Sequence, residues 1–315
     1  MRTRPTTTRD DIVAYFDGCE VDYRWIWDLD ASLAMHMGHW DESTHTLRDA
    51  LRRQNELLAT TARITAADRV LDAGCGVGGS SVFLAETTGC RVVGLTLSRK
   101  QARSAAANAA RRRVAERARF AVMDYTRTAF PAGSFDVVWA LESVCYAPAF
   151  ADFAREAARL LVPGGRLVLA DGFATKEYYE PSEARLMARC FANWAVPALE
   201  TPAVVARELA AAGFRDVAYT DTTAAVARST RRLFRHALYG LPFGKVAELL
   251  GLRDRTQTGN IVGAYYAHRA RMRGLVGYGL FSAVMPDSMS EGGVQIHAGG
   301  TLSTCASMAS TSPSS

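Results

Sequence analysis

The sequence has no long apolar run and no paired-cysteine motif. No apolar stretch approaches the roughly 18 residues that a membrane-spanning helix needs, and the polar first eight residues lack the apolar core of a secretory signal. Six cysteines occur in 315 residues, but none forms a C-x-x-C pair and no His/Cys spacing is typical of a metal site. The sequence therefore predicts reduced thiols, a cytoplasmic location, no metal and no stable membrane insertion.

Lysine is also scarce, so the net charge of +5 comes from arginine. The arginines are scattered, and the densest clusters, 111–113 and 231–232, are typical of solvated helix faces. The chain also reads Leu-Glu-Ser-Val at 141–144, where enzymes that modify nucleic-acid bases often carry an N/D-P-P-Y/F/W segment. A nucleic-acid partner is therefore not expected.

The most informative segment that is present joins an apolar strand to a helix. Residues 70 to 79 read Val-Leu-Asp-Ala-Gly-Cys-Gly-Val-Gly-Gly. Glycines at a strand-to-helix turn let a ligand press against bare backbone, and the first turn of the helix offers free N–H groups. The run therefore predicts a cofactor-binding loop.

Two features of the sequence indicate whether this loop binds a dinucleotide or another cofactor. Gly74, Gly76 and Gly79 satisfy the G-x-G-x-x-G dinucleotide fingerprint, but Asp72 would place a carboxylate near a pyrophosphate. The second predicted strand, 91–96, also lacks the acid that holds a ribose about 20 residues further on. S-adenosylmethionine (SAM) carries a sulfonium and an ammonium group and no phosphate, so an acid suits it. SAM is the predicted cofactor; a dehydrogenase or an inert glycine-rich turn is the alternative.

Between residues 68 and 172 the sequence alternates strand and helix patterns. Strands are predicted at 69–73, 91–96, 118–123, 135–140 and 166–170, and helices near 79–87, 99–115 and 149–161. Such βα alternation indicates a mostly parallel sheet with helices on both faces. Segments 217–220 and 278–285 are candidate final strands. The predicted fold is a Rossmann-like, seven-stranded α/β sheet.

The remaining segments are predicted to flank this sheet. Helical patterns before residue 60, the longest from Asp41 to Leu58, form an N-terminal cap, and those at 176–200 and 224–272 predict a lid over the substrate. The end of the chain, rich in Ser, Gly and Thr and without Lys or Arg, is predicted to be disordered. The predicted division is a cap at 1–60, a SAM-binding core at 61–175, lid helices and final strands at 176–285, and a tail at 286–315.

The glycine run resembles motif I of the class I SAM-dependent methyltransferases. Gly94–Gln101 reads G-L-T-L-S-R-K-Q and resembles the G-L/I-T-L-S-x-x-Q run of tocopherol methyltransferases and of cyclopropane-fatty-acid and mycolic-acid methyltransferases. Met35–Asp41 is similar to the M-H-x-G-a-a-D segment (a, aromatic) that precedes the core in tocopherol methyltransferases. Glu142–Pro148 resembles the E-A-x-C-H-A-P segment of sterol C-methyltransferases. The lid matches only loosely, so substrate identity does not carry over.

The resemblance also assigns cofactor contacts outside the glycine loop. It implies that the Gln101 side chain and the Leu97 backbone lie at the ribose and adenine, and that His36 covers the methionine end of the cofactor. Asp124 follows the third strand, where the class carries an acid toward the adenine amino group. The predicted cofactor-binding residues are His36, Asp72, Gly74, Gly76, Gly78, Thr96, Leu97, Gln101, Asp124 and Tyr125.

Three residues are candidates for catalysis. Glu142 follows the fourth strand, at the edge where ligands bind in such sheets, and is either a proton acceptor or a structural cap. His36 is either a base or a residue that orients its loop. Tyr146, which stands where the sterol pattern has His, is either a hydrogen-bond donor to substrate or a satisfied buried hydroxyl. Met37 replaces the Cys that, with a Glu, holds bicarbonate in cyclopropane synthases, which disfavours that reaction.

The sequence thus predicts an enzyme that transfers a methyl group from SAM to an apolar small molecule. The resemblance favours an isoprenoid or polycyclic natural product and C-methylation, with O- or N-methylation of a secondary metabolite as the alternative. A SAM-binding protein without transferase activity is the alternative from another class. Methyl transfer is an in-line displacement at an activated carbon, so the protein chiefly supplies positioning, water exclusion and, where needed, a base. A homodimer is an open option.

Overall fold

The computed structural model describes residues 7–287, so the predicted disordered tail lies, beyond its first two residues, outside the described part. The central sheet consists of β1 (Arg69–Ala73), β2 (Arg91–Thr96), β3 (Ala118–Val122), β4 (Phe135–Leu141), β5 (Leu161–Ala174), β6 (Arg215–Asp221) and β7 (Val276–Val284). Its seven strands have the order β3-β2-β1-β4-β5-β7-β6. Strands β1 to β5 are parallel, and β7 is antiparallel to both β5 and β6. The predicted Rossmann-like fold is confirmed.

Helices cover both faces of the sheet. They are α1 (Arg9–Trp27), α2 (Leu29–Ser32), α3 (Leu47–Thr61), α4 (Gly79–Thr87), α5 (Arg99–Arg111), α6 (Phe150–Leu160), α7 (Pro181–Phe191), α8 (Pro202–Ala211), α9 (Ala227–Leu249) and α10 (Arg255–Met272). Phe153 of α6 and Leu209 of α8 are fully buried in the core on one face. Leu58 of α3 and Leu84 of α4 are fully buried on the other. Within residues 7–287, no helix is long and apolar enough to cross a membrane.

The start of α3 differs from the prediction. The helix expected from Asp41 begins at Leu47, because the Asp41 carboxylate accepts hydrogen bonds from the backbone and hydroxyl of Ser43 (2.9 and 2.6 Å) and so stabilises a turn. Thr46 then caps the helix: its side chain accepts from the Asp49 amide, and the Asp49 side chain accepts from the Thr46 amide. The prediction of the helix start was wrong because this capping box was overlooked.

The lid is also more divided than the sequence suggested. Of the segment 176–200, only α7 and a short 3₁₀ turn are helical. The segment 224–272 forms two helices, α9 and α10, which are separated by a loop that contains Gly251 at φ +71°. Helix α8 was not predicted. Helices α9 and α10 lie between β6 and β7 in the chain and pack against each other, and α10 also contacts α1 and α7. The division of the chain at residues 60, 175 and 285 stays a prediction.

Candidate functional site

A cavity of about 590 Å³ lies at the carboxyl ends of the parallel strands. Its walls come from the glycine loop after β1, the loops after β2, β3 and β4, helix α1, and the lid helices α7, α9 and α10. The lining is mostly apolar and aromatic, with a few converging polar groups. The volume falls within the range of roughly 300–1,000 Å³ that is typical of small-molecule sites.

The glycine loop approaches this cavity at one bare backbone position. Gly76 has φ +53°, and the nearest atom to a Cβ built there would be the Met35 sulfur at 3.4 Å. Gly74 (φ +97°) also lines the cavity, but a Cβ there would lie 2.4 Å from the Ser143 Cβ. Gly74 is therefore needed for packing, whereas Gly76 leaves space for a ligand.

Gly78, in contrast, does not line the cavity. It has φ +86°, and a Cβ there would meet Ala105 and Phe120 at 2.9 Å. This glycine therefore lets helix α4 pack closely on α5 and β3. Its predicted cofactor contact is corrected to a packing role.

Asp72 brings a buried carboxylate to the cavity wall at the end of β1. The Ser81 hydroxyl donates a 2.6 Å hydrogen bond to it, yet burial raises the pKa of Asp72 to about 6. Among the described residues, no cationic side chain lowers the pKa of Asp72. A buried acid beside a cavity and without a cationic partner suits a ligand with a positive charge, such as the ammonium group of SAM. The site therefore fits the predicted cofactor.

The loop after β2 lies at the same cavity, as the resemblance implied. The Thr96 hydroxyl donates to Oε1 of the Gln101 side chain (2.7 Å). This bond orients the side chain so that its Nε2 lies 3.9 Å from the Met35 sulfur. Ser98 caps α5 by accepting from the Gln101 amide (3.0 Å). Thr96, Leu97 and Gln101 all line the cavity.

Asp124 and Tyr125 line the cavity after β3. One oxygen of Asp124 accepts from the amide and hydroxyl of Thr126 (2.8 and 2.7 Å), and the other forms an ion pair with Arg9 of α1. The Tyr125 hydroxyl donates to the Ser143 carbonyl (2.7 Å). Asp124 is therefore oriented toward the N-terminal cap, and Arg9 of that cap lines the cavity although it was not among the predicted site residues.

Both ring nitrogens of His36 are hydrogen-bonded. Nδ1 lies 2.9 Å from the Met37 carbonyl, and Nε2 lies 3.2 Å from the Asn55 amide nitrogen. Because a carbonyl only accepts, Nδ1 must carry the proton, and Nε2 accepts from Asn55. Burial lowers the pKa of His36 to about 4. In this arrangement His36 stays neutral and has no free nitrogen for a substrate proton.

Glu142 lies immediately after β4, with φ +49°. Its Oε1 accepts hydrogen bonds from the Met37 amide (2.5 Å) and from the Tyr278 hydroxyl (2.8 Å). Burial and the nearby Asp171 carboxylate raise the pKa of Glu142 to about 8, against the opposing effect of these two hydrogen bonds. The carboxyl lines the cavity, and a pKa of about 8 is near enough to neutral pH for a general base.

Asp171 of β5 is a second acid on this wall, and sequence reasoning missed it. It accepts from the backbone amides of Cys145 (3.0 Å) and Gly172 (2.7 Å), and burial raises its pKa to about 6. The available signal was an acid at the end of an apolar strand, the same pattern as in β1. Tyr146 also lines the cavity, and its ring packs edge-on against Phe16 with centroids 5.2 Å apart.

A buried polar cluster ties the cap to the lid. The Tyr15 hydroxyl donates to Oδ1 of the Asn260 side chain (2.9 Å), and Nδ2 of the same side chain donates to Asp22 (2.9 Å). Both oxygens of Asp22 also accept from the Arg253 guanidinium, at 2.8 and 2.9 Å. Helix α1 is thereby fixed to α10 and to the loop before it. The cavity is closed on this side by paired charges rather than by apolar contact alone.

The glycine loop and the strands around it are similar to a known protein family. Residues 71–169, from β1 to β5, match the family model of a methyltransferase domain. Over these residues the chain is similar to methyltransferase domains. The resemblance on which the sequence analysis relied is confirmed, and the cavity lies at the cofactor edge of that domain.

The relatives of this chain are named for different molecules. The 27-O-demethylrifamycin SV methyltransferase of Amycolatopsis mediterranei is 40% identical over 137 residues, which cover 44% of the chain and 50% of the relative. The 2-methyl-6-phytyl-1,4-hydroquinone methyltransferase of Synechocystis sp. is 32% identical over 215 residues, which cover 65% of the chain and 62% of the relative. The chain therefore spans about half the length of the first of these relatives.

A solved structure extends the match to most of the chain. The [4+2]-cyclase SpnF superposes with a TM-score of 0.73 at 20% identity, covering 89% of the chain and 97% of the cyclase. At this identity the similarity shows the fold alone. The chain therefore shares its fold with a protein that is named for a different reaction.

Proposed function

We propose that the chain is an enzyme, a SAM-dependent methyltransferase that acts on an apolar small molecule. The observation that carries this proposal is the convergence of two different sites on one cavity. On one side lie Asp72 and the bare backbone of Gly76, which suit a cationic cofactor. On the other lies Glu142, a buried acid with a raised pKa.

On the cofactor side, the loops that follow successive strands would each contact a different part of SAM. Asp72 would bind the ammonium end of SAM, and the Gly76 backbone would contact its middle. Leu97 and Gln101 would hold the ribose and adenine, with Asp124 beyond them. When bound, SAM supplies the activated methyl group. His36 is assigned a positioning role here, because both of its ring nitrogens are used to hold the loop before α3.

Glu142 is the proposed proton acceptor. Its Oε1 is held by Tyr278 and by the Met37 amide, so the carboxylate is fixed in one orientation before substrate binds. With a pKa of about 8, it is partly ionised at neutral to mildly basic pH. Such a base can take a proton from an acceptor and stay bound to its own donors. Tyr146, against Phe16, would border the acceptor.

The apolar lining favours an apolar acceptor, with a few polar groups to orient it. C-methylation is the first choice, and the relative named for a phytyl hydroquinone supports an isoprenoid-bearing aromatic ring. O-methylation is the second candidate, because another relative is named for an O-demethylated substrate. A proton leaves the acceptor in both reactions, so both need a base near the cavity. N-methylation stays an alternative, but none of the observations above favours it.

The test is turnover of methyl-labelled SAM with a hydroquinone that carries an isoprenoid chain. A product with the label on a ring carbon supports C-methylation, and a methyl ether supports the second candidate. SAM binding without turnover of any apolar acceptor would favour a SAM-binding protein without transferase activity. A cytoplasmic location and a homodimer stay predictions from the sequence.

A further inference from the structure

The outer face of helix α9 carries an exposed stripe, which we call the lid stripe: Arg231, Arg235, Tyr239, Phe243, Val246, Leu249 and Leu250. The spacings of three and four residues place these side chains on one face of the helix. The opposite face is buried through Ser229, Leu233, Ala237 and Gly244. The stripe therefore points away from the body of the protein.

The two halves of the lid stripe differ in chemistry. The first half is basic, and the second half exposes large apolar side chains: Leu249 is 87% and Phe243 is 77% exposed, and the adjoining Leu252 is 76% exposed. Scattered exposed apolar residues are ordinary, but a contiguous row of this kind marks an interaction surface. Something other than water is expected to cover this half of the helix.

The charge on the lid supports an anionic occupant. Helices α9 and α10 together contain eight arginines and lysines and one acid, Glu248, and that acid lies 3.8 Å from Arg255. The chain as a whole has a net charge of only +5, so positive charge is concentrated on these two helices. The basic half of the stripe therefore lies in a strongly positive field.

A second copy of the chain would fit this surface poorly. Parallel pairing of two α9 helices would bring arginines together, and antiparallel pairing would press the arginines of one copy onto the apolar half of the other. An anionic bilayer satisfies both halves at once, because its phosphates pair with arginine and its hydrocarbon receives Leu and Phe side chains. We propose that the lid stripe docks on the surface of an anionic phospholipid membrane.

The stripe also borders the cavity. Phe243 is exposed and lines the cavity, as do Gly240 and Ala247 on the same helix. Trp25, 82% exposed, lines it from the end of α1, where the next residue, Ile26, accepts a hydrogen bond from Arg232 of α9. Docking would therefore place a mouth of the cavity at the membrane surface. If the proposed function holds, an isoprenoid acceptor enters from the bilayer at this rim.

The test is co-sedimentation of the full chain with vesicles, and it uses neither SAM nor turnover. Vesicles of phosphatidylcholine alone are compared with vesicles that also contain phosphatidylglycerol. We expect binding to the anionic vesicles that weakens with added salt, and at least about tenfold weaker binding to the neutral ones. Because methyl transfer is not measured, failure of the proposed function leaves this result intact.

Two double variants test the basic half and the apolar half of the lid stripe separately. Arg231→Gln with Arg235→Gln should weaken binding to anionic vesicles about thirtyfold, at roughly 1 kcal/mol for each charge near the surface. Leu249→Ser with Leu250→Ser should weaken it by a similar factor through lost apolar contact. Arg113→Gln and Tyr178→Ser, at exposed residues elsewhere, are the matched controls and should bind like the wild type. All these side chains are exposed, so unchanged thermal unfolding confirms intact folding.

Three results would overturn the proposal. One is the absence of binding to either kind of vesicle. Another is binding that either double variant leaves unchanged. The third is a dimer, measured by light scattering, that Leu249→Ser with Leu250→Ser dissociates, because the stripe would then be covered by a second copy.

Discussion

The Tyr278 hydroxyl donates a 2.8 Å hydrogen bond to Oε1 of Glu142, although 136 residues separate the two in sequence. This bond joins β7 to the loop after β4 and favours the ionised carboxylate. Burial has the opposite and larger effect, so the pKa of Glu142 is raised to about 8. Removing the carboxylate and removing the hydroxyl therefore have different, testable consequences.

Replacing Glu142 by Gln should lower turnover about 10²-fold or more, the usual contribution of a general base. The amide keeps the shape and can still accept from Tyr278 and from the Met37 amide, but it cannot take a proton. Affinity for S-adenosylhomocysteine, measured by calorimetry, should change little. Turnover per folded molecule close to that of the wild type would exclude Glu142 as the base.

Replacing Tyr278 by Phe should shift the pH dependence of turnover without abolishing it. The hydroxyl lowers the pKa of Glu142 by bonding the ionised form, so its loss raises that pKa further. A base works only when ionised, so the rise of activity with pH, centred near pH 8 in the wild type, should move to higher pH. An unshifted pH profile with a uniformly lower rate would instead indicate a packing role for Tyr278.

The raised pKa of Glu142 also predicts how stability depends on pH. The folded state keeps the proton up to about pH 8, whereas the unfolded chain loses it near the ordinary glutamate pKa of 4.5. Stability from this group is therefore fully present below about pH 4.5 and is lost as pH rises toward 8. Glu142→Gln has no such loss, so its melting temperature relative to the wild type should rise between pH 5 and pH 8. A constant difference across that range would contradict the assigned pKa.

Gly76 can be tested against a glycine of similar conformation outside the site. Gly76→Ala and Gly133→Ala both place a Cβ at positive φ, +53° and +66°, at a comparable cost of about 1 kcal/mol in stability. Only the first Cβ enters the ligand side of the cavity. Calorimetry should show S-adenosylhomocysteine affinity reduced at least about tenfold for Gly76→Ala and unchanged for Gly133→Ala. Equal affinities would mean that the cofactor does not press on this backbone.

Features encoded in short segments could be predicted from the sequence. The apolar strand, Asp72 and the glycines lie within ten consecutive residues, and they fold as expected because strand, turn and helix signals are local. Even there, sequence alone could not divide the glycines by role. Gly76 faces the cavity and Gly78 faces Phe120, and this difference depends on how α4 packs against its neighbours.

Contacts between distant segments could not be predicted. Tyr278 meets Glu142, and Asn260 meets Tyr15 across 245 residues, because the sheet order and the insertion of the lid bring them together. No periodicity carries that information. His36 shows the same limit, since its base or positioning role depended on Asn55 of the following helix. The start of α3, in contrast, was readable from Thr46 and Asp49.

The charged contact between cap and lid gives the final prediction. Arg253→Met removes the bidentate partner of Asp22 and leaves a carboxylate whose side chain is only 8% exposed. Breaking one side of such a pair costs about 3–5 kcal/mol, because the remaining carboxylate is buried without an opposite charge and keeps, among the described residues, only the hydrogen bond from Asn260. Asp22→Leu combined with Arg253→Met should recover much of that loss, since no buried charge remains. Arg52→Met, at the exposed pair with Glu56, is the matched control and should cost less than about 1 kcal/mol. Chemical denaturation of the four proteins gives these free energies. If the double variant is no more stable than Arg253→Met alone, the ion pair is not what makes the single change costly, and packing of the Arg253 stem against the lid explains the loss.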